Sequence, residues 1–319
     1  MTATSGGQDP ELKQMPLLKI GTRGSPLALW QANETAAQLR KAHGWADDAV
    51  VLEIIKTSGD MIQDRPLSQA GGKGLFTKEI DIALLEGRID LAVHSAKDMP
   101  TRFPDGIVIA AYLEREDVRD ALIARDAKTL LELRPNAIVG TASLRRQALV
   151  KRLRPDIETT LLRGNVETRL SKVEKGELDA TLLAGAGLKR LGFAHRAAGL
   201  IPLEQFPPAI GQGAIAITCR TDDQKTLAAL AKINHATTAT ALAAERAFLT
   251  VLDGSCRTPI AGHATLEGDT LNFHGLVLRT DGTEVFEVRR QGHATQAASL
   301  GHDAGEELAR TLPAGILGH

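Results

Sequence analysis

Residues 86–98 read EGRIDLAVHSAKD: a glycine turn flanked by charge, an apolar run over 89–93, and a polar end at His94, Ser95, Lys97 and Asp98. A short apolar run of this kind is a strand buried on both faces, as in the parallel sheets of α/β proteins. Just upstream, the loop Gly71, Gly72, Lys73, Gly74 leads into a helix over 75–86. Before that come a strand over 17–21, a helix opened by Ser25 and Pro26 and running to 42 with Gly44 just past its end, and a strand over 50–56. Downstream the spacing predicts strands over 137–139, 158–162 and 178–183, separated by helices over 143–153 and 166–175. The two series echo each other. Gly21-Thr22 with Ser25 opening a helix matches Gly140-Thr141 with Ser143 opening a helix, and EGRID at 86–90 matches KGELD at 175–179. Two α/β domains of one design are therefore expected to face each other, with ligands in the cleft at the carboxyl ends of the strands.

After Cys219 the texture changes to an Ala-rich helix over 238–252, short strands with a hairpin turn at Asp281-Gly282, and a helix over 294–310. This is a third, smaller α+β domain. The expected division is a leader over 1–16, a first domain of 17–114 with 213–231, a second of 118–208 and a third of 234–319. Linkers are expected at 114–118 and 221–234.

The 319 residues carry a net charge of -1, with 43% hydrophobic and 24% charged residues, which excludes a disordered chain and a general nucleic-acid binder. At 3% aromatic the chain has little material for base-stacking platforms. Charges interrupt every apolar segment, and residues 1–16 are polar without a basic start, so neither a membrane span nor a secretory signal is expected. Two cysteines, Cys219 and Cys256, make no disulfide framework and no paired metal-ligand spacing. Cytoplasmic residence is the expectation, with no metal.

The clearest chemical cluster is basic. Arg145 and Arg146 fall in the first turn of a helix, and Arg163, Arg169 and Arg190 at or just after strand ends. With Arg23, Lys73 and Lys97 they would line one cleft with positive charge, suited to a small ligand bearing several carboxylates. A single arginine of this kind is more often a solvated surface charge; the recurrence at helix starts and strand ends is what favours a site. Lys73 lacks the Walker spacing, so no nucleotide site is expected. Asp98, at the end of a buried strand, is a candidate acid/base or partner for a cationic intermediate, the alternative being a turn aspartate. Cys256 sits in the turn DGSCR beside Arg257, where a thiolate would be favoured, while Cys219 reads as a small core residue.

Together these segments resemble the porphobilinogen deaminase (hydroxymethylbilane synthase) family. The stretches that carry the resemblance are IGTRGSPLALWQ (20–31), GGKGLF (71–76), AVHSAKD (92–98), GTASLRRQ (140–147), LRGNV (162–166) with Thr168-Arg169, GLKRLG (187–192), PAIGQG (208–213) and GSC (254–256). They run in the family's order. The resemblance implies two lobes of the type II periplasmic-binding-protein kind plus a smaller C-terminal domain. It implies a transferase that joins four porphobilinogen units into hydroxymethylbilane, releasing ammonia, in haem-type tetrapyrrole biosynthesis. It also implies a covalent dipyrromethane cofactor, held by a thioether to Cys256, and a monomer acting on porphobilinogen.

By the same resemblance Asp98 is the catalytic carboxylate. Loss of ammonia leaves an azafulvene cation, which a carboxylate near the pyrrole nitrogen stabilises. Each pyrrole carries an acetate and a propionate. Lys97, Asp98, Thr141, Ser143, Arg145 and Arg146 are implied to bind the cofactor, and Arg23, Ser25, Arg163, Arg169, Arg190 and Gln212 the substrate. Lys73 lies in what resembles the family's mobile cover. Two residues depart from the pattern: Ser255 before the cysteine, where glycine is usual, and Glu167, which brings a carboxylate among the arginines. Two other classes fit part of the sequence. A non-catalytic anion-binding protein on the same two-lobed fold has no use for Cys256, and an enzyme with Cys256 as redox or acyl nucleophile lacks a recognisable base.

Overall fold

The computed structural model describes residues 17–61, 74–252, 258–313 and 315–316. In chain order the elements are β1 (Leu18–Thr22), α1 (Pro26–His43), β2 (Val50–Ile54), α2 (Ser58–Met61), α3 (Lys78–Leu85), β3 (Leu91–Ser95), β4 (Ile107–Tyr112) and β5 (Asp120–Ala124). There follow β6 (Ile138–Gly140), α4 (Leu144–Leu153), β7 (Glu158–Thr160), α5 (Val166–Glu174), β8 (Ala180–Ala184), α6 (Gly185–Arg190), β9 (Gly199–Leu200) and β10 (Ile215–Arg220). The last are α7 (Gln224–Ala231), α8 (Ala236–Val251), β11 (Ile260–Glu267), β12 (Thr270–Leu278), β13 (Val285–His293) and α9 (Ala297–Thr311).

The strands form two five-stranded sheets, β2-β1-β3-β10-β4 and β7-β6-β8-β5-β9, and a three-stranded antiparallel sheet β11-β12-β13. In the first sheet β1 pairs parallel with β2 and β3, and β10 pairs antiparallel with β3 and β4. The second repeats this: β6 is parallel to β7 and β8, while β5 is antiparallel to β8 and β9. The two sheets are thus largely parallel, each holding one antiparallel strand. That strand arrives across the cleft, β5 after β4 and β10 after β9, so its partners are remote in sequence and no local pattern reports them. The same pairing moves the strand read at 89–93 to Leu91–Ser95, because Ser95 pairs with Ile215.

The sequence echo has a physical content. Asp90 Oδ2 accepts from Lys19 N at 2.7 Å and Asp179 Oδ2 from Ile138 N at 2.7 Å, so they tether the starts of β1 and β6, equivalent strands of the two lobes. Ser25 accepts from Ala28 N at 3.3 Å and Ser143 from Arg146 N at 3.4 Å, each capping the helix after that strand. Both lobes therefore place a strand end, a capped helix start and the loop between them on the cleft.

The segment 221–234, expected as a linker, instead contains α7, whose Ala229 and Leu230 pack with Ile233 into the first lobe's core. Residues 113–119 and 201–214 carry the chain between lobes, side by side. At their contact Gly213 has φ +86, and a Cβ there would stand 2.4 Å from Glu116 O, so glycine is required by both conformation and space. The third sheet packs one face on α8 and α9 and sets Ala261, Leu276 and Leu278 of the other into the core of the second lobe. Among the described residues no helix is long and apolar enough to cross a membrane.

Candidate active site

The loop between β1 and α1 supplies Arg23 and Ser25, and the single 3₁₀ turn after β3 supplies Lys97 and Asp98. Asp98 is exposed and shares a cavity with Arg23, Ser25, Gln31, Phe76, His94 and Ser95. The cavity wall is fixed by hydrogen bonds: Gln31 Nε2 donates to Ser95 Oγ at 2.9 Å, and Arg23 lies with its guanidinium 4.2 Å from the Phe76 ring centroid while pairing with Asp60. His94 is buried behind it. Burial first, and Arg23 second, push its pKa down to about 4, so it is a neutral wall of the cavity.

Lys97 points to the other lobe's side, its Nζ donating to Gln212 Oε1 at 3.4 Å. Burial, and then the charge of Arg146, push its pKa down to about 8, against the pull of Asp98 and Asp120. Gln212 in turn donates through Nε2 to Val118 O at 2.7 Å and to Asp120 Oδ1 at 3.2 Å. Gln212, expected as a substrate contact, is 0% exposed. Its amide is bonded to Lys97, to Val118 O and to Asp120.

Arg145 and Arg146 have an internal partner. Both turn inward from α4, 4% and 7% exposed, and share one carboxylate, Asp120, the first residue of β5. Arg145 donates from Nη2 to Oδ2 at 2.7 Å and from Nη1 to Pro207 O at 2.7 Å, and its buried Nε has no hydrogen-bond partner. Arg146 donates to Oδ1 from Nε and Nη2 at 3.0 and 2.6 Å, and from Nη1 to Leu182 O at 2.9 Å. Burial alone would raise the Asp120 carboxyl, but the two guanidiniums outweigh it and hold it at about 2. The arginines are thus half-neutralised from within the protein. Thr141 and Ser143 sit in the loop ahead of α4, Thr141 Oγ1 accepting from Ser143 N at 3.1 Å.

Arg163 and Arg169 come from the loop after β7 and from α5. Arg169 donates to Gly164 O at 3.0 Å, and burial followed by Arg146 and Arg163 lowers its pKa to about 10, with Asp98 opposing. That mutual influence brings Asp98 of one lobe and three arginines of the other to one region. Arg190, at the end of α6, donates to Gly213 O at 2.7 Å and lies over Trp30 of the facing lobe at 5.6 Å. Beside it, Lys189 pairs with Glu116 at 2.7 Å. Glu167 is exposed in the first turn of α5, where its charge suits the helix N-terminus. Lys73, Ser255 and Cys256 lie outside the described residues.

Residues 18–228 match the family described as "Porphobilinogen deaminase, dipyromethane cofactor binding domain", and residues 239–310 match its C-terminal domain. The chain belongs to the porphobilinogen deaminase family. It is 56% identical over 292 residues to the porphobilinogen deaminase of Nitrobacter hamburgensis, and likewise to that of Nitrobacter winogradskyi, 92% of each chain being covered in both cases. Among solved structures, a probable amino-acid ABC transporter extracellular-binding protein of Bacillus subtilis aligns with TM-score 0.41 and 10% identity over 68% of this chain and 89% of its own. An ancestral arginine-binding protein aligns with TM-score 0.37 and 14% identity over 69% and 92%.

The family's cofactor, a dipyrromethane bearing acetate and propionate groups, suits the residues present. The buried Arg146 lies within electrostatic reach of both Lys97 and Arg169, Arg145 of Lys97 and Arg163 of Arg169, and Arg145 Nε is a buried donor with no acceptor. Sequence reasoning missed Asp60, Asp120, Gln31 and Ser95. Asp120 left only one trace, a lone acid at the head of the apolar strand DALIA, and that pattern names no partner.

Proposed function

We propose that this chain deaminates porphobilinogen and joins four units into hydroxymethylbilane in the interlobe cleft. The carrying observation is that Asp98, an exposed carboxylate at the mouth of the cavity that Arg23 and Ser25 line, lies within electrostatic reach of Lys97 and Arg169. When bound, the dipyrromethane supplies the pyrrole end to which new units are added. Asp98 faces the cation left when porphobilinogen loses ammonia; a carboxylate there stabilises developing positive charge and accepts the pyrrole proton. Lys97, Thr141, Ser143, Arg145 and Arg146 hold the cofactor's carboxylates, with Cys256 as its attachment. Arg23 and Ser25 bind the incoming unit, and Arg163, Arg169 and Arg190 the lengthening chain. Asp120 takes half the charge of its arginine pair, which leaves one net positive charge there for the carboxylates of a polyanion.

The division into 17–114 with 213–231, 118–208 and 234–319 suits this chemistry, since cleft and cofactor turn fall in different units. Too few cysteines for a disulfide framework support a cytoplasmic location, a net charge of -1 argues against nucleic-acid partners, and a monomer belongs to the same reading. The test is incubation of the purified chain with porphobilinogen, followed by intact mass, peptide mapping and ammonia release. A dipyrromethane-sized adduct on Cys256, with ammonia and hydroxymethylbilane formed, is expected. Absence of adduct and product after incubation would overturn the proposal.

A further inference from the structure

The function proposed above makes no use of Asp60. This residue, in α2, meets Arg23 along one edge only: Arg23 Nε donates to Oδ1 at 3.1 Å and to Oδ2 at 3.2 Å, and Nη2 donates to Oδ1. Asp60 is itself fixed, Thr57 Oγ1 donating to its Oδ2 at 2.8 Å. Burial would raise the Asp60 carboxyl, but Arg23 and Thr57 hold it below its ordinary value, so it is a standing anion. The Phe76 ring covers one face of the same guanidinium at 4.2 Å. Among the described residues Nη1 has no hydrogen bond, and Arg23 borders the cavity that holds Ser25, Gln31 and Asp98.

A guanidinium presents five N–H groups in one rigid plane, so fixing one edge and one face fixes the direction of the remaining edge. We propose that Asp60 is a positioning residue that locks Arg23 so that its Nη1–Nη2 edge stands ready for one carboxylate of porphobilinogen. This rests on the assignment of Arg23 as a substrate contact. Two opposed effects decide the sign. Removing Asp60 frees a long side chain to sample rotamers, which weakens binding, and it also removes a negative charge near the incoming carboxylate, which strengthens it. The bidentate clasp and the stacked ring favour the first effect, because the substrate anion meets the far edge of the guanidinium and not the edge that Asp60 occupies.

The test uses cofactor-loaded enzyme. Asp60→Asn, which keeps the shape and loses the charge, is expected to raise KM for porphobilinogen about tenfold with kcat little changed and the adduct mass intact. Asp60→Glu, whose longer side chain displaces the guanidinium, is expected to do the same. In an Arg23→Lys background, which has no planar edge to orient, Asp60→Asn is expected to leave KM where Arg23→Lys put it. A KM that falls or stays constant in Asp60→Asn, or effects that simply add in the double variant, overturns the positioning role. A KM unchanged by Arg23→Lys alone overturns the assignment of Arg23 as a substrate contact, and Asp60's role with it.

Discussion

Arg146 meets Asp120 edge-on, its Nε and Nη2 both donating to Oδ1 at 3.0 and 2.6 Å, with side chains only 8% and 0% exposed. The same carboxylate holds Arg145 through its other oxygen. One buried anion thus organises two buried cations at the start of α4. Asp120→Ala leaves both guanidiniums uncompensated, at a cost of about 3–5 kcal/mol. The thermal midpoint is expected to fall by roughly 10 °C. An unchanged midpoint in calorimetry would show that the carboxylate is not needed to keep the arginines inside.

Asp98→Ala keeps the fold, since this exposed residue makes no core contact. Turnover is expected to drop by at least about a hundredfold. The intact mass should still carry the cofactor. Parent-level turnover would remove Asp98 from the chemistry.

Lys97 has its ammonium pushed down to about 8 by burial and by Arg146. Below that pH it is a cation facing the cleft, and as pH rises through it the charge is lost, so kcat/KM should decline on the alkaline side. Lys97→Arg, charged throughout this range, should move that decline upward. Superimposable profiles for the two proteins would rule out Lys97 as its source.

Asp81 in α3 is buried, its Oδ1 has no partner, and burial raises its pKa to about 6 against a weaker pull from Thr77. The folded state therefore holds a proton that the unfolded chain releases near its ordinary 3.8. Stability falls as pH rises from about 4 to about 6 and stays lower above it. Asp81→Asn, neutral at every pH, should be more stable than the parent at neutral pH by roughly 2–3 kcal/mol, with the advantage gone below about pH 4. Unfolding midpoints measured at both ends of this range check it, and a constant difference between the proteins would count against a buried protonated Asp81.

The elements that depend on neighbours in sequence were legible from the chain alone. Ser25 and Ser143 cap helices, and Gly44 closes α1 in the left-handed conformation, because each satisfies backbone groups within four residues of itself. The matched Asp90 and Asp179 foretold two lobes of one design, and the family motifs carried the cleft arginines and Asp98. What the tertiary structure alone decided depends on residues far apart along the chain. The antiparallel strands β5 and β10 cross between lobes to pair. Asp120 reaches Arg145 and Arg146 some 25 residues on, Gln212 reaches Asp120 across 92 positions, and Asp60 reaches Arg23 across 37. A sequence reports that a residue is charged, but whether that charge faces a ligand or an internal counter-ion is set by which remote segment packs against it. Hence the basic cluster was visible from the chain, and which of its arginines carry an internal counter-ion was not.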